Sequence, residues 1–381
     1  MIPDNCSELL RTAPTLGHRV GTMALLAHPL PGSGRLAPHL TEDLYLQFGD
    51  FTNAFSVAFD VDLQRHHYHC KGQKGIISYS RCPRLGVTIA WFAPLCDRAV
   101  LQDVLDDFLI TVKSDRLVWW KASEEVATLL AERGYLLTPY GLENDVAINE
   151  LTLGGTRLRG LRRQVEAARG SGIVVERVEP TAGGPVWDEL RQVSDRWLAT
   201  RPQPLEVRRV TRRTPHRVER HCTKVVARTS RGATLGWAAF DHLHSQGSLI
   251  GCGLNAVRYD PSTASGVAAL LACDGAAIVH AGADHPSLDG RFRLALGESP
   301  LPSEDELGRL DVEIPSALRT GRALQTLFNV LRERGRRIYG VRGLSDWKRK
   351  WRADQSVTYC AVRSELPLRE VLAFGSAMLL P

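Results

Sequence analysis

This 381-residue sequence lacks several features that would assign it directly to a functional class. No stretch approaches the roughly 18 consecutive apolar residues that cross a bilayer, so we expect no integral membrane segment. The apolar run Val20–Ala27 lacks a basic start and a small-residue cleavage site, and we therefore expect no signal peptide and a cytoplasmic protein. Walker A, HExxH, GxSxG and Rossmann fingerprints are also missing. Their absence argues against nucleotide hydrolysis, zinc proteolysis, serine hydrolysis and dinucleotide redox chemistry.

Cysteine is scattered, with eight residues and no CxxC pair. A chain of this size needs no disulfides for stability, and thiols in the cytosol stay reduced. The strongest metal candidate is the segment His66–Cys70, followed by Cys82 and Cys96. It has no second closely spaced ligand pair of the kind that structural zinc sites use. The sequence therefore predicts neither a metal nor a cofactor.

The charges are divided unevenly along the chain. Residues 1–150 contain 13 Lys and Arg against 18 Asp and Glu, which leaves 35 and 24 for residues 151–381. Two halves of opposite sign predict two domains, with a polyanionic partner on the second. The basic residues of that half concentrate in a predicted helix over 154–170 and in the stretch Arg208–Arg231.

Short strand-like segments alternate with amphipathic helices in both halves, which predicts an α/β protein. In the first half, Gly86–Trp91 and Leu117–Trp120 have the composition of strands, whereas Asp97–Val112 has helical periodicity. The order of elements repeats from Ile173 onward. We predict an irregular lead-in (1–40), an N-terminal domain (41–153), a basic linking helix (154–170) and a C-terminal domain (171–381). Each domain is expected to have its own central sheet.

Local motifs are more specific than composition. Several segments resemble, in the same order, the catalytic part of bacterial aminoacyl-phosphatidylglycerol synthases: Leu117–Glu125, Glu132–Tyr135, Gly155–Arg163, Ser194–Leu198, Leu296–Leu301 and Gly343–Trp351. The resemblance extends over roughly residues 40–365. It implies an α/β (α+β) fold of two tandem acetyltransferase-like (GNAT) domains with mixed central sheets, joined by a basic helix.

The resemblance also implies an enzyme that moves an amino acid from aminoacyl-tRNA to an acceptor. Relatives with this domain alone include enzymes that acylate small molecules in natural-product (antibiotic) biosynthesis, so the acceptor is either a small-molecule amine or hydroxyl or a lipid hydroxyl. An aminoacyl ester is already activated, so such an enzyme needs positioning and oxyanion stabilisation rather than a covalent nucleophile. Arginines would hold the tRNA acceptor stem through its phosphates; the candidates are Arg162, Arg163, Arg208, Arg209, Arg212, Arg213 and Arg217.

The predicted catalytic residues are Arg258, Asn255 and Glu298. The family's Asp-x-x-Arg motif falls on Asn255–Arg258, where the arginine matches and the expected aspartate is replaced by asparagine. An aspartate would bind a cationic α-amino group, whereas asparagine keeps only hydrogen-bonding capacity. Glu298 is predicted to bind the amino group or to act as a general base.

Three further residues are predicted to bind substrate: Ser299, Lys348 and Lys350. The two lysines lie two positions apart in the terminal motif. On a strand or an extended turn they would face one side and could hold a phosphate together.

Two other functions compete with aminoacyl transfer. An acyl-CoA-dependent N-acetyltransferase needs a glycine-rich turn at a helix N-terminus for the pyrophosphate, and the nearest segment, Thr263–Ala268, lacks a basic or amide anchor. A non-enzymatic nucleic-acid-binding protein would need only the basic half. The turn-rich segments Gly251–Pro261 and Leu296–Pro302 instead suit a small-molecule pocket.

Overall fold

A computed structural model describes residues 38–50, 66–70, 75–113, 115–148, 153–180, 183–200, 221–263, 266–282, 291–310, 321–334 and 341–379. The described residues of the first half form three helices and five strands. In chain order these are α1 (Pro38–Phe48), β1 (His66–His69), β2 (Gly75–Cys82), β3 (Val87–Cys96), α2 (Leu101–Thr111), β4 (Arg116–Ala122), α3 (Glu124–Glu132) and β5 (Leu136–Ala147).

The second half repeats this plan with additional helices. Its elements are α4 (Arg159–Gly170), β6 (Val174–Val178), α5 (Pro185–Ala199), β7 (Cys222–Arg228), β8 (Thr234–Ser245), β9 (Ser248–Tyr259), α6 (Val267–Ala281), β10 (Arg293–Pro300), α7 (Glu304–Gly308), α8 (Arg322–Arg334), α9 (Val341–Arg349), β11 (Asp354–Val362) and α10 (Leu368–Leu379). Helix α4 lies inside the predicted linking helix. The helices in this described part of the chain all fall short of the length and apolarity needed to cross a bilayer.

The strands form one mixed sheet in the order β1-β2-β3-β4-β11-β5-β10-β9-β8-β7-β6. The α/β class and the acetyltransferase-like plan are confirmed, but the expectation of a separate sheet in each half is wrong. The reason is an exchange of strands. Strand β11 of the second half pairs antiparallel with β4 and β5, and β5 of the first half pairs antiparallel with β10. The residue bounds given for the two domains stay a prediction.

Parallel pairing occurs at one equivalent place in each half. Strand β3 pairs with β4 from Val87↔Arg116 to Trp91↔Trp120, and β9 pairs with β10 from Gly251↔Arg293 to Gly253↔Ala295. Beyond the first ladder, Phe92 and Lys121 both have left-handed backbone conformations, with φ of 62° and 61°. Residues with a side chain rarely adopt this region. The parallel pairing of β3 with β4 therefore ends just where Lys121 occurs.

Separate apolar cores cover the two faces of the sheet. In the first half, α2 and α3 pack against a core that includes Phe108 and Trp119, while the opposite face holds Trp91 and Trp120 against Leu324 and other residues of the C-terminal helices. In the second half, α4 and α6 cover one face and α5 the other. Helices α8 and α10 therefore pack on the first half, as β11 does.

Candidate active site

Charged and polar side chains converge on the four central strands, β4, β11, β5 and β10, of which each half supplies two. Four ionisable groups are involved, and they come from β4, β5, β10 and α9: Lys121, Glu143, Glu298 and Lys348. Charged groups in an interior are costly unless they are paired and hydrogen-bonded. Their partners and their protonation therefore determine what this centre can do.

Lys121 and Glu143 form a salt bridge between β4 and β5. Both side chains are largely buried, with 9% and 13% of their surface exposed. The Lys121 ammonium also lies 5.3 Å from the centre of the Phe92 ring. Lys121 reaches this position from its left-handed backbone conformation. Conformational strain of this kind persists where the surrounding structure holds it, often at functional sites.

Glu298 lies beside this pair on β10, directly opposite Glu143 in the β5–β10 ladder. The Thr358 hydroxyl of β11 donates a hydrogen bond to its carboxylate, and the Lys348 ammonium donates to its backbone carbonyl at 2.6 Å. Space for the carboxylate exists because residue 141 is glycine. A Cβ atom there would lie 2.3 Å from the Glu298 carboxyl carbon.

The surroundings move the pKa values of Glu298 and Lys348 toward 7. Burial raises the pKa of Glu298 to about 7, and the Glu143 carboxylate adds to this effect, while Lys121, the Thr358 hydrogen bond and Lys348 oppose it. Burial lowers the pKa of Lys348 to about 7 against the pull of Glu143 and Glu298. Groups that titrate near the working pH are suited to general acid–base catalysis.

Amide hydrogen bonds fix the backbone around Glu298. The buried Asn144 side chain donates to the Gly297 carbonyl and to the Ser299 hydroxyl, both at 3.1 Å. Gln355 of β11 in turn donates to the Asn144 carbonyl oxygen at 2.7 Å. Ser299, predicted to bind substrate, is thus a buried member of this network. Asn144 of β5 therefore holds the residues on both sides of Glu298.

A cleft of about 450 Å³ opens beside the charged centre, and we call it the acidic cleft. Its wall carries four carboxylates and one arginine: Glu124, Glu125, Glu143, Asp145 and Arg98. Glu143 and Thr358 belong both to this wall and to the surroundings of Glu298. Glu143 is paired with Lys121 and Asp145 with Arg293, so the remaining negative charge of the wall is that of Glu124 and Glu125. This charge favours a cationic ligand.

Helix α3 begins at this cleft with a favourable N-terminal sequence. The Ser123 hydroxyl caps the helix by accepting from the Val126 amide, and Glu124 and Glu125 follow in the first turn. Acidic residues there interact favourably with the helix dipole. The same two carboxylates are exposed and line the cleft, so the residues that stabilise the helix also make the cleft acidic.

The predicted pair Asn255 and Arg258 lies on β9, the strand next to β10. The Asn255 amide donates to the Asp241 carboxylate at 3.0 Å. Arg258 is buried, its guanidinium carbon lies 4.0 Å from the centre of the Trp197 ring, and it donates to the Val257 carbonyl. Glu298, on the neighbouring strand β10, has Thr358 and Lys348 as partners. The roles of the three predicted catalytic residues stay a prediction.

The expectation that Lys348 and Lys350 face one side is wrong. The segment Val341–Arg349 is a helix rather than a strand, so residues two apart point in nearly opposite directions. Lys348 is buried with its ammonium on the Glu298 carbonyl, whereas Lys350 is exposed. The two side chains therefore cannot hold one phosphate together.

The predicted tRNA-binding arginines are only partly within the described chain. Arg162 is half-buried and donates to the carbonyls of Leu153 and Gly155, so it fixes the entry to α4, while Arg163 on the same helix is exposed. The others lie outside the described residues: Arg208, Arg209, Arg212, Arg213 and Arg217.

The segment proposed for a CoA pyrophosphate leads into α6 at Gly266. This glycine has φ of 109°, and a Cβ atom there would lie 2.1 Å from the Gln164 carbonyl oxygen of α4. The start of α6 therefore packs directly against another helix. Residues 264 and 265 of the candidate segment lie outside the described chain, so the acyl-CoA alternative stays a prediction.

Sequence reasoning selected Glu298, Ser299 and Lys348 as candidates, but not Lys121, Glu143, Asn144 and Thr358, which lie in the same network. One signal was available for Lys121, a charged residue at the end of the buried run Leu117–Trp120. Lys and Glu are almost never fully buried unless paired. Glu143 and Thr358 carried no such signal, because their importance depends on the exchange of strands.

Comparison with known proteins identifies the family. The family model "Phosphatidylglycerol lysyltransferase, C-terminal" matches residues 51–362. A search of curated proteins gave no match. Among solved structures, the chain is similar to the C-terminal domain of a protein described as a lysylphosphatidylglycerol synthetase, from Agrobacterium fabrum (TM-score 0.65, 20% identity, covering 90% of this chain and 96% of that one).

Two further structures share the fold. L-PGS from Bacillus licheniformis has a TM-score of 0.64 and 18% identity, and the match covers 89% of this chain and 95% of that one. FemX has a TM-score of 0.50 and 10% identity, covering 89% and 99%. Because the family model spans most of the sequence, the chain belongs to the phosphatidylglycerol lysyltransferase C-terminal family of aminoacyltransferases.

Proposed function

We propose that this protein transfers an aminoacyl group from aminoacyl-tRNA to the hydroxyl or amine of a second substrate. The observation that carries the proposal is the group formed by Lys121, Glu143, Glu298 and Lys348 beside the acidic cleft. The family and the lysylphosphatidylglycerol synthetase and L-PGS relatives support the same reaction class.

The acidic cleft suits the aminoacyl end of the donor. An aminoacyl ester carries a protonated α-amino group at neutral pH, and Glu124 and Glu125 supply the negative charge to bind it. The same carboxylates would repel the phosphates of the tRNA. The nucleic acid would therefore remain outside the cleft, where exposed arginines such as Arg163 can contact it.

Glu298 is suited to accept the proton of the acceptor. Thr358 lines the cleft and donates its hydroxyl hydrogen to the Glu298 carboxylate, so it can relay a proton between them. The acceptor oxygen or nitrogen attacks the ester carbonyl carbon, and its proton passes through Thr358 to Glu298. The bond between that carbon and the ribose oxygen of the tRNA then breaks, and the ribose oxygen takes the proton back.

Lys121 and Lys348 would provide positive charge in the same centre. Negative charge develops on the ester oxygen during attack, and preorganised cations lower the energy of that state. Lys348 also holds the backbone carbonyl of Glu298 in place. We propose no covalent enzyme intermediate, since the ester is already activated.

The acceptor is either a small molecule, as in a natural-product pathway, or a lipid hydroxyl. Purified protein incubated with a mixture of charged tRNAs should consume one ester when the acceptor is present. Parallel reactions with phosphatidylglycerol vesicles and with a panel of small amines and alcohols separate the two classes. Saturable binding of acetyl-CoA at micromolar concentration, with no aminoacyl-tRNA consumed, would contradict the proposal.

The proton relay has its own test. Thr358→Val removes the hydroxyl at nearly constant volume and should lower turnover strongly, while Thr358→Ser keeps the hydroxyl and should preserve most of it. Equal activity of the two variants would show that Thr358 does not carry the proton.

A further inference from the structure

A cluster of three histidines lies away from the charged centre, where α1 packs against the second half. His221 comes directly before β7, and His242 and His244 lie on β8. One possible ligand atom from each residue lies within 4.8 Å of the others. Their rings also contact each other, with centres 5.5 Å apart for His221 and His244 and 6.2 Å apart for His242 and His244.

His244 is the most unusual member of the cluster. Only 7% of its surface is exposed, and neither of its ring nitrogens has a hydrogen-bond partner among the described residues. A buried polar group without a partner costs roughly 1–3 kcal/mol, so native proteins usually satisfy it. A ligand bound between the three rings would satisfy this imidazole.

The other two histidines are held in the manner of metal ligands. The Nε2 atom of His221 lies 3.0 Å from the Glu42 carboxylate, and Nε2 of His242 lies 2.9 Å from the Thr223 hydroxyl. Metal-binding histidines usually donate their second ring N–H to such a carboxylate or oxygen partner, which orients the ring. With Nε2 engaged, Nδ1 of each ring is the atom left for a metal.

We propose that His221, His242 and His244 bind one divalent transition-metal ion of the zinc class. Three neutral nitrogen ligands suit Zn²⁺ better than Mg²⁺ or Ca²⁺, which prefer oxygen. Zn–N bonds of about 2.1 Å place two tetrahedral ligands about 3.4 Å apart. The candidate ligand atoms lie within 4.8 Å of one another, so they need to approach by at most about 1.4 Å, which ring rotations can supply.

The metal would connect α1 to the second half of the protein. Tyr45 of α1 packs its ring on His221 and His244, with centres 4.9 and 5.1 Å apart, and donates its hydroxyl to the His242 carbonyl. The backbone amide of His244 also donates to the Gly49 carbonyl at 2.7 Å. An ion on the three histidines, with Glu42 behind His221, would therefore fix the N-terminal helix to β8.

Zinc titration of the full chain tests this site. The metal-free protein should take up one Zn²⁺ in competition with a fluorescent chelator. His244→Ala should weaken binding by at least about 100-fold, and Glu42→Gln by about 10- to 100-fold. The matched control is His280→Ala, which removes an exposed histidine of α6 and should leave Zn²⁺ affinity unchanged.

Cobalt distinguishes this site from adventitious binding by cysteine. Co²⁺ bound by histidine nitrogens gives visible d–d bands without the near-ultraviolet charge-transfer band of a thiolate ligand. His221→Asn serves if His244→Ala fails to fold, and circular dichroism verifies both variants. The proposal is overturned if the wild type binds no Zn²⁺ at micromolar concentration or if binding persists in both variants. It is also overturned if changing His66, His67 and His69 abolishes binding instead.

Discussion

Strand β4 contributes to two regions of very different character, and their contrast separates stability from function. Its Trp119 belongs to an aromatic cluster in which Phe108 contacts Tyr68, Tyr79 and Trp119, with ring centres 5.4–6.2 Å apart. Two residues later, Lys121 enters the charged centre. Aromatic packing stabilises the fold directly, whereas buried charges carry a desolvation cost. The charged centre is therefore weak evidence of stabilisation, and the role that we propose for it is chemical.

The largest expected effect is on turnover in the charged centre. Glu298→Gln keeps the size of the side chain but removes the base, so turnover with aminoacyl-tRNA should fall by about 10²- to 10⁴-fold. The unfolding free energy at pH 7 should stay the same or rise, because a carboxyl with a raised pKa is removed. The matched control is Glu132→Gln on the exposed end of α3. Full activity of Glu298→Gln would contradict the proposed base.

The second-largest expected effect is on the free energy of unfolding. Lys121→Met leaves Glu143 without its salt-bridge partner, and urea unfolding should show a loss of about 3–5 kcal/mol. The double variant Lys121→Met/Glu143→Leu should recover most of it, because neither charge is then left buried alone. A double variant as unstable as the single one would show that the pair stabilises the fold.

A variant of the aromatic cluster should lose stability but keep its turnover. Phe108→Ala removes a fully buried ring and should cost a similar 3–5 kcal/mol. The Phe108→Ala molecules that remain folded should turn over substrate at the wild-type rate, whereas Lys121→Met should be inactive. Turnover rates per folded molecule, compared between the two variants at low temperature, test this difference.

A smaller effect concerns pH. The pKa of Glu298 is raised from its unfolded value, so its contribution to stability falls as the pH rises from about 4.5 to about 7. The pKa of Lys348 is lowered, so its contribution increases as the pH rises from about 7 to about 10.5. Together they predict a stability minimum near pH 7, with slopes of at most about 1.4 kcal/mol per pH unit.

Urea unfolding across this pH range measures the effect by difference. The difference between the wild-type and Glu298→Gln curves should contain the acidic slope, and the difference between the wild-type and Lys348→Met curves should contain the basic one. A wild-type curve that runs parallel to both variants would show that neither group is shifted.

The smallest effect is expected on the surface. Arg163→Glu removes one exposed positive charge of α4 and should weaken tRNA binding modestly, lowering the salt-dependence slope by about 1. Turnover at saturating tRNA should not change, since a remote phosphate contact binds ground and transition states alike. An unchanged salt slope would place the tRNA elsewhere.

Sequence patterns predicted the local elements well. The runs Gly86–Trp91 and Leu117–Trp120 lie within or next to β3 and β4, and the periodic segment Asp97–Val112 contains α2. These predictions succeed because burial of one face imposes a local period. Ser123 was likewise recognisable as a helix cap, since its hydrogen bond spans only three residues.

The arrangement of the strands could not be predicted in the same way. Nothing near Thr358 indicates that β11 lies between β4 and β5, because the pairing joins residues more than 200 positions apart. The roles of Lys121, Glu143 and Thr358 depend on that pairing. Lys350 was misplaced for a local reason, because the short segment before it forms a helix rather than an extended turn.

The exchange of strands has a consequence for cutting the chain. A break between β5 and α4 would leave the first fragment without the strand that separates β4 from β5, and the second without the partner of β10. Each fragment alone would expose open sheet edges, which favour pairing with other chains. The two fragments should complement each other as a noncovalent heterodimer. Neither fragment alone should be active, and activity should appear when both are present. The protein is therefore a candidate for a split-enzyme reporter.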